Sequence, residues 1–177
     1  MRQFALFGLL LSLGMNALAE SCPEHLGGEY RKLHASESVN LCDVINKKPA
    51  LVVNTASHCG YTKQFSGLEA LHQKYQTEGL VVIGFASNAF KQAAKSEAEA
   101  ADICYTNYGV SFTMLAPTEV TGTEANALFR WLAEQTVAPS WNFNKYLINP
   151  KTGAVKHFDS RTAPNSEALT KAIEAAL

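Results

Sequence analysis

Long apolar runs are nearly absent from this chain of 177 residues. The one of note, residues 4–15, is too short to span a bilayer comfortably, and no later segment is long enough to try, so stable membrane insertion is not expected. Positive charge is not in surplus either. The 15 Lys and Arg are matched by 16 Asp and Glu with no basic patch, and no nucleic-acid partner is expected. Cysteine is sparse, and no two of the 4 form a C-x-x-C, which argues against a thioredoxin-type dithiol motif and against a zinc ribbon. Cys22-Pro23-Glu24-His25 has the spacing of half a zinc site but no second pair accompanies it. His34, His72 and His157 stand alone, so neither metal nor cofactor is expected. Repeats, linkers and low-complexity tracts are missing too, which leaves one ordinary domain.

What is present begins at the N-terminus. Arg2, the apolar run and Ala17-Leu18-Ala19 describe a cleavable secretory signal over residues 1–19, followed by a single domain over residues 20–177. Glu20 interrupts the small residues expected before a lipid-modified cysteine, so the mature chain reads as a soluble exported protein, periplasmic or secreted. Export permits disulfides. Four cysteines allow three complete pairings, and the sequence does not choose among them. Cys22 and Cys42 both lie upstream of the first core strand, where a bridge pins the N-terminal extension; they are assigned the structural role. Cys59 and Cys104 are left for chemistry.

Residues 27–39 alternate weakly and predict a short hairpin. Residues 51–54 predict a buried strand, Leu51-Val52-Val53 having β-branched bulk and no turn residue, and residues 80–85 a second, Val/Ile-rich one; an amphipathic helix over 63–75 that Thr62 is placed to cap joins them. Continuous apolar strands joined by a helix indicate a parallel pair covered on both faces. A helix over 96–108, a strand over 112–115, a helix over 124–135, a hairpin of 146–148 with 155–158, and a final helix capped by Asn165 or Ser166 complete the reading. The order is that of an α/β thioredoxin-like domain, a central mixed sheet flanked by helices with an N-terminal extension.

Cys59 falls at the turn between the first core strand and its helix. A thiol there meets unpaired backbone N–H groups and the positive end of a helix dipole, both of which favour the reactive thiolate. A free cysteine taken blind is more often buried and inert. Here Ser57, Gly60 and Thr62 are small or polar rather than core-like, and the reactive reading is favoured.

The segment Asn54-Thr55-Ala56-Ser57-His58-Cys59-Gly60-Tyr61-Thr62 resembles the peroxidatic motif of glutathione peroxidases. Gly67-Leu68-Glu69-Ala70-Leu71, Gly79-Leu80-Val81-Val82-Ile83-Gly84-Phe85, Asn107-Tyr108-Gly109-Val110 and Trp141-Asn142-Phe143 before Lys145-Tyr146-Leu147 resemble further family segments in the same order. The resemblance runs from about Glu29 to the C-terminus and implies a thioredoxin fold and reduction of hydroperoxides, through a sulfenic acid on Cys59. It implies Trp141 and Asn142 as N–H donors near the sulfur, neutral groups suited to a thiolate. Cys104 holds the place where many members carry a resolving cysteine, in a helix that must unfold locally to deliver it. The chain departs from the family at Asn88-Ala89-Phe90-Lys91, where a donor Gln is usual in place of Ala89, and at Thr113, where Pro is common. Lys91 or Gln92, on the same loop, is expected to substitute in part for the missing donor.

Residues 134–140 form a short connection without Lys or Arg. By resemblance to compact members this implies a monomer, with Cys59 resolved by Cys104 or by an external thiol, a thioredoxin-like protein in preference to the alternative, glutathione. Hydrogen peroxide and organic or lipid hydroperoxides are the implied substrates. Two other readings compete: a peroxide-sensing or thiol-relay protein of the same fold with weak turnover, and a general thiol–disulfide exchanger.

Overall fold

The computed structural model describes residues 22–177, so the signal segment read over residues 1–19 lies outside the described residues. A hairpin of Glu29–Arg31 (β1) and Ser38–Asn40 (β2) comes first, paired antiparallel. Asn40 then caps the short helix Leu41–Ile45 (α1), its side chain accepting from the Cys42 N–H. The core follows: Ala50–Thr55 (β3), Gln64–Tyr75 (α2), Val81–Ala86 (β4), Glu97–Ala101 (α3), Thr113–Leu115 (β5), Ala127–Gln135 (α4), Lys145–Ile148 (β6), Val155–Phe158 (β7) and Glu167–Ala176 (α5).

The five core strands form one sheet in the order β5-β4-β3-β6-β7. β3 runs parallel to β4 and β4 to β5, while β6 is antiparallel to β3 and to β7. Every residue of β3 is buried. Side chains alternate between two apolar layers because successive Cβ atoms of a strand point to opposite faces. Leu51, Val53, Val82 and Leu147 pack with Phe65, Leu68, Leu169 and Ile173 of α2 and α5. Val52, Ile83, Phe85 and Tyr146 pack with Leu41, Leu128, Phe129 and Leu132 of α1 and α4. Gly84 makes room in the first of these layers, where a Cβ would collide with the Met114 side chain.

The predicted hairpin, strands and most helices are present, with informative differences. The 96–108 helix is α-helical only over α3, capped by the Ser96 hydroxyl, and continues as a π-helix over Asp102–Asn107. The helix expected over 124–135 starts at Ala127, because Asn126 accepts from the Phe129 N–H and so fixes the first turn there. Ser166, not Asn165, caps α5. Thr62 does not cap α2, since its hydroxyl is engaged in the preceding turn.

Cys22 and Cys42 are joined in a disulfide, with Cα atoms 5.9 Å apart. The N-terminal segment lies against α4, where the His25 ring stacks on Trp131 with centroids 3.9 Å apart. Cys42→Ser is expected to lower unfolding free energy by about 3 kcal/mol, because the open loop regains chain entropy when unfolded. Urea midpoints of oxidised protein and variant measure this. Equal midpoints would mean the bridge leaves stability unchanged.

Candidate active site

Three segments gather at one end of the sheet. β3 and β4 are parallel and in register from Ala50–Val81 to Thr55–Ala86, so the loops after Thr55 and after Ala86 emerge side by side. β6 runs the other way and pairs its first residue, Lys145, with Val53, so residues 141–144 arrive at that same end. The carboxyl ends of parallel strands are where open α/β sheets place their ligands.

The first loop carries Cys59, 8% exposed. Thr62 ties the turn: its Oγ1 accepts the Cys59 N–H at 3.0 Å, and its hydroxyl lies 3.0 Å from the Ala56 carbonyl and 2.8 Å from that of Cys59. The Tyr61 N–H donates to Cys59 Sγ at 3.4 Å. α2 begins only at Gln64, so the sulfur sits one turn ahead of the helix, and the backbone amide that reaches it belongs to the turn. His58 pairs there with Glu99 of α3 at 3.0 Å.

The strap 141–144 is laced to the end of β3 by one residue, Asn54. Its carbonyl accepts the Phe143 N–H, its Oδ1 accepts the Asn144 N–H at 3.0 Å, and its Nδ2 donates to the Trp141 carbonyl at 3.0 Å. Phe143 is held at φ 63°, a conformation that bulky L-residues rarely adopt. Such strain persists only where surrounding contacts impose it, and clusters at functional sites. Asn142 is wholly buried, and Trp141 is 40% exposed with its ring centroid 5.3 Å from that of Phe90.

Asn142 Nδ2 donates to Gln92 Oε1 at 2.9 Å, while Asn142 Oδ1 is buried without a hydrogen-bond partner. Gln92 also accepts the His58 N–H on its main-chain oxygen at 2.9 Å. Hydrogen bonds among the described residues bring neither Trp141 nor Asn142 onto the Cys59 sulfur. They join Asn142 to Gln92, and Gln92 to the residue before Cys59.

Cys104 lies in the π-helical segment, 1% exposed, its Sγ 3.5 Å from the Ala101 carbonyl. Burial pushes its thiol up to about 11, so in this packing it stays protonated at neutral pH. It lines a cavity of about 200 Å³ that Ala56 and Ser57 of the Cys59 turn also line. Cys59 and Cys104 belong to the same buried cluster.

Lys145 is wholly buried beneath the strap. Its Nζ donates to the carbonyls of Phe143 and Thr162, both at 2.8 Å, and burial pulls its pKa down to about 8 against the opposing attraction of Asp159. The sequence reading assigned no role to Lys145 or Asn54, and neither type announces one: a lysine in a short strand is ordinarily read as a solvated side chain. The signal available was position, since Asn54 closes the first core strand and Lys145 follows the Trp141-Asn142-Phe143 segment.

Against this geometry, comparisons with known proteins are concordant. The family model for glutathione peroxidase matches residues 29–133. A glutathione peroxidase-like peroxiredoxin of Schizosaccharomyces pombe is 40% identical over 136 residues, covering 73% of this chain and 85% of that one. A hydroperoxy fatty acid reductase of Synechocystis sp. is 42% identical over 136 residues, covering 76% and 88%. Among solved structures, that of Trgpx in apo form superposes with a TM-score of 0.66 at 28% identity, over 88% of this chain and 96% of that one. A secreted disulfide oxidoreductase of Mycobacterium tuberculosis, at 16% identity and TM-score 0.61 over 88% and 100%, shares the fold.

Proposed function

The chain belongs to the glutathione peroxidase family of thiol-dependent peroxidases, and we propose that its chemistry runs through Cys59. The observation that carries this reading is the placement of the Cys59 thiol: a turn at the carboxyl end of β3, with a backbone N–H on its sulfur. The thiolate attacks the terminal oxygen of a hydroperoxide; the O–O bond breaks, and the leaving oxygen takes a proton to depart as water or an alcohol. Cys59 is left as a sulfenic acid. A second thiol attacks that sulfur, water leaves and a disulfide forms, which an external thiol then reduces.

Hydrogen peroxide and organic or lipid hydroperoxides are the substrates. The naming of the Synechocystis relative and the exposed ring of Trp141, with the half-buried ring of Phe90 beside it, favour the organic ones. The connection 134–140 carries no cation to hold a glutathione carboxylate, which favours a thioredoxin-like dithiol protein as reductant. The protein works as a monomer and is exported through residues 1–19; the Cys22–Cys42 disulfide suits an oxidising compartment. N-terminal sequencing of the exported protein is expected to begin at Glu20.

Peroxide consumption with an excess of dithiol tests the reading. Many turnovers per protein, with sulfenic acid trapped on Cys59 by mass spectrometry, are expected. Ala89 in place of the usual donor favours the competing sensor reading, which a single stoichiometric oxidation would establish instead. Cys104 is the internal resolving thiol, exposed when the π-helical segment opens. Peroxide-treated, unreduced protein is then expected to yield a Cys59–Cys104 linked peptide, and Cys104→Ser to accumulate the sulfenic acid. Absence of that peptide assigns resolution to the external thiol.

A further inference from the structure

We propose that Gln92 is the positioning residue for Asn142 in this chain, acting through that side chain rather than replacing the donor missing at Ala89. The inference rests on the reading of Asn142 as a donor at the Cys59 site. Four observations carry it. The Gln92 side chain meets the Asn142 carboxamide at 2.9 Å, across fifty positions of sequence. The Gln92 main chain holds the Cys59 turn through the His58 N–H. The loop is shaped to deliver it: the Lys91 N–H bonds the Asn88 carbonyl at 2.8 Å, Lys91 turns through φ 55°, and Asn88 Oδ1 accepts the Ala93 N–H at 3.2 Å. Finally, Asn142 is wholly buried, yet its Oδ1 has no partner.

A carboxamide presents an acceptor and a two-hydrogen donor of nearly the same shape. Turning both Gln92 and Asn142 by half a rotation therefore keeps their 2.9 Å contact, with Gln92 Nε2 now donating to Asn142 Oδ1. The same turn swings the Asn142 N–H pair onto the side where Oδ1 was unpartnered. Donors aimed where negative charge develops are the groups that lower a barrier of this kind. The turned arrangement needs a donor to Asn142 Oδ1, which a glutamine is and a leucine or glutamate is not.

The plateau rate constant for peroxide reacting with fully ionised Cys59, taken from the pH–rate profile, tests this. Gln92→Leu is expected to lower the plateau about 10- to 100-fold, the range for a lost hydrogen bond to a charged group. Gln92→Glu keeps the size and the contact but only accepts. It is expected to lower the plateau comparably, beyond any displacement of the profile along the pH axis that its charge causes. In an Asn142→Ala background, Gln92→Leu is expected to change the plateau less than about twofold, because the residue it orients is gone. Equal losses in both backgrounds would make Gln92 merely structural and overturn the inference. An unchanged plateau in both Gln92 variants, with Asn142→Ala slow, would also overturn it while sparing the site. An unchanged plateau in Asn142→Ala would instead sink the donor reading on which it rests.

Discussion

Cys59→Ser is expected to cut peroxide turnover by roughly 10⁴-fold or more, the scale on which removal of a nucleophile acts. The serine hydroxyl fits the same turn and can still accept from the Tyr61 N–H, so folding and substrate access are preserved. What is lost is a polarisable, nucleophilic sulfur able to change oxidation state reversibly. No other group takes over. Cys104 is packed against the Ala101 carbonyl with its thiol pushed up to about 11, and Cys22 and Cys42 are locked in their disulfide. Turnover measured at a fixed dithiol concentration, with unfolding midpoints alongside, checks the expectation. Retention of more than a few per cent of wild-type turnover in a folded variant would move the reaction to another thiol.

Lys145→Met is expected to destabilise the protein by about 3–4 kcal/mol, since it strips the donor from the Phe143 and Thr162 carbonyls and leaves both unmet in the interior. The strap would relax with it, because the Phe143 carbonyl is one of the contacts that impose the left-handed backbone at that residue. A pH dependence distinguishes this from loss of volume alone. The Lys145 pKa is depressed to about 8 in the folded state, against 10.5 when unfolded, so its protonated form opposes folding below pH 8. Between about pH 8 and 10.5 the unfolded chain binds more protons than the folded one at this site, and wild-type stability rises relative to Lys145→Met. The gap between wild type and variant should therefore widen across that window and stay flat from pH 5 to 7. Urea unfolding of both proteins over this range measures it. A constant gap would mean that the amine is not desolvated.

The thioredoxin-like order was legible because β3 and β4 are continuous apolar runs separated by a well-spaced helix, signals that survive without tertiary context. α1 was not legible: five residues hold little more than one turn, and its formation rests on the Asn40 cap and on burial of Leu41 and Ile45. Periodicity equally could not separate α3 from the π-helix after it, since both place Ala101 and Cys104 inward. At the site, Cys59 and the Trp141-Asn142 segment were recognisable by type and order. Thr62 was read locally, as a helix cap, although its hydroxyl closes the turn around Cys59. The Gln92–Asn142 contact spans the sheet end, and no short-range pattern encodes such a pairing.

The stretch Asp102–Asn107 accommodates one more residue per turn than an α-helix does, and Cys104 is the buried residue within it. A helical residue advances about 100° around the axis, so shortening this stretch by one position would rotate everything on one side of the excision by that angle relative to the other. The thiol would then leave the cavity wall for the direction of one of its chain neighbours, Ile103 or Tyr105, neither of which is buried. Which way this sulfur points is therefore decided by a count of residues, not by the identity of any of them.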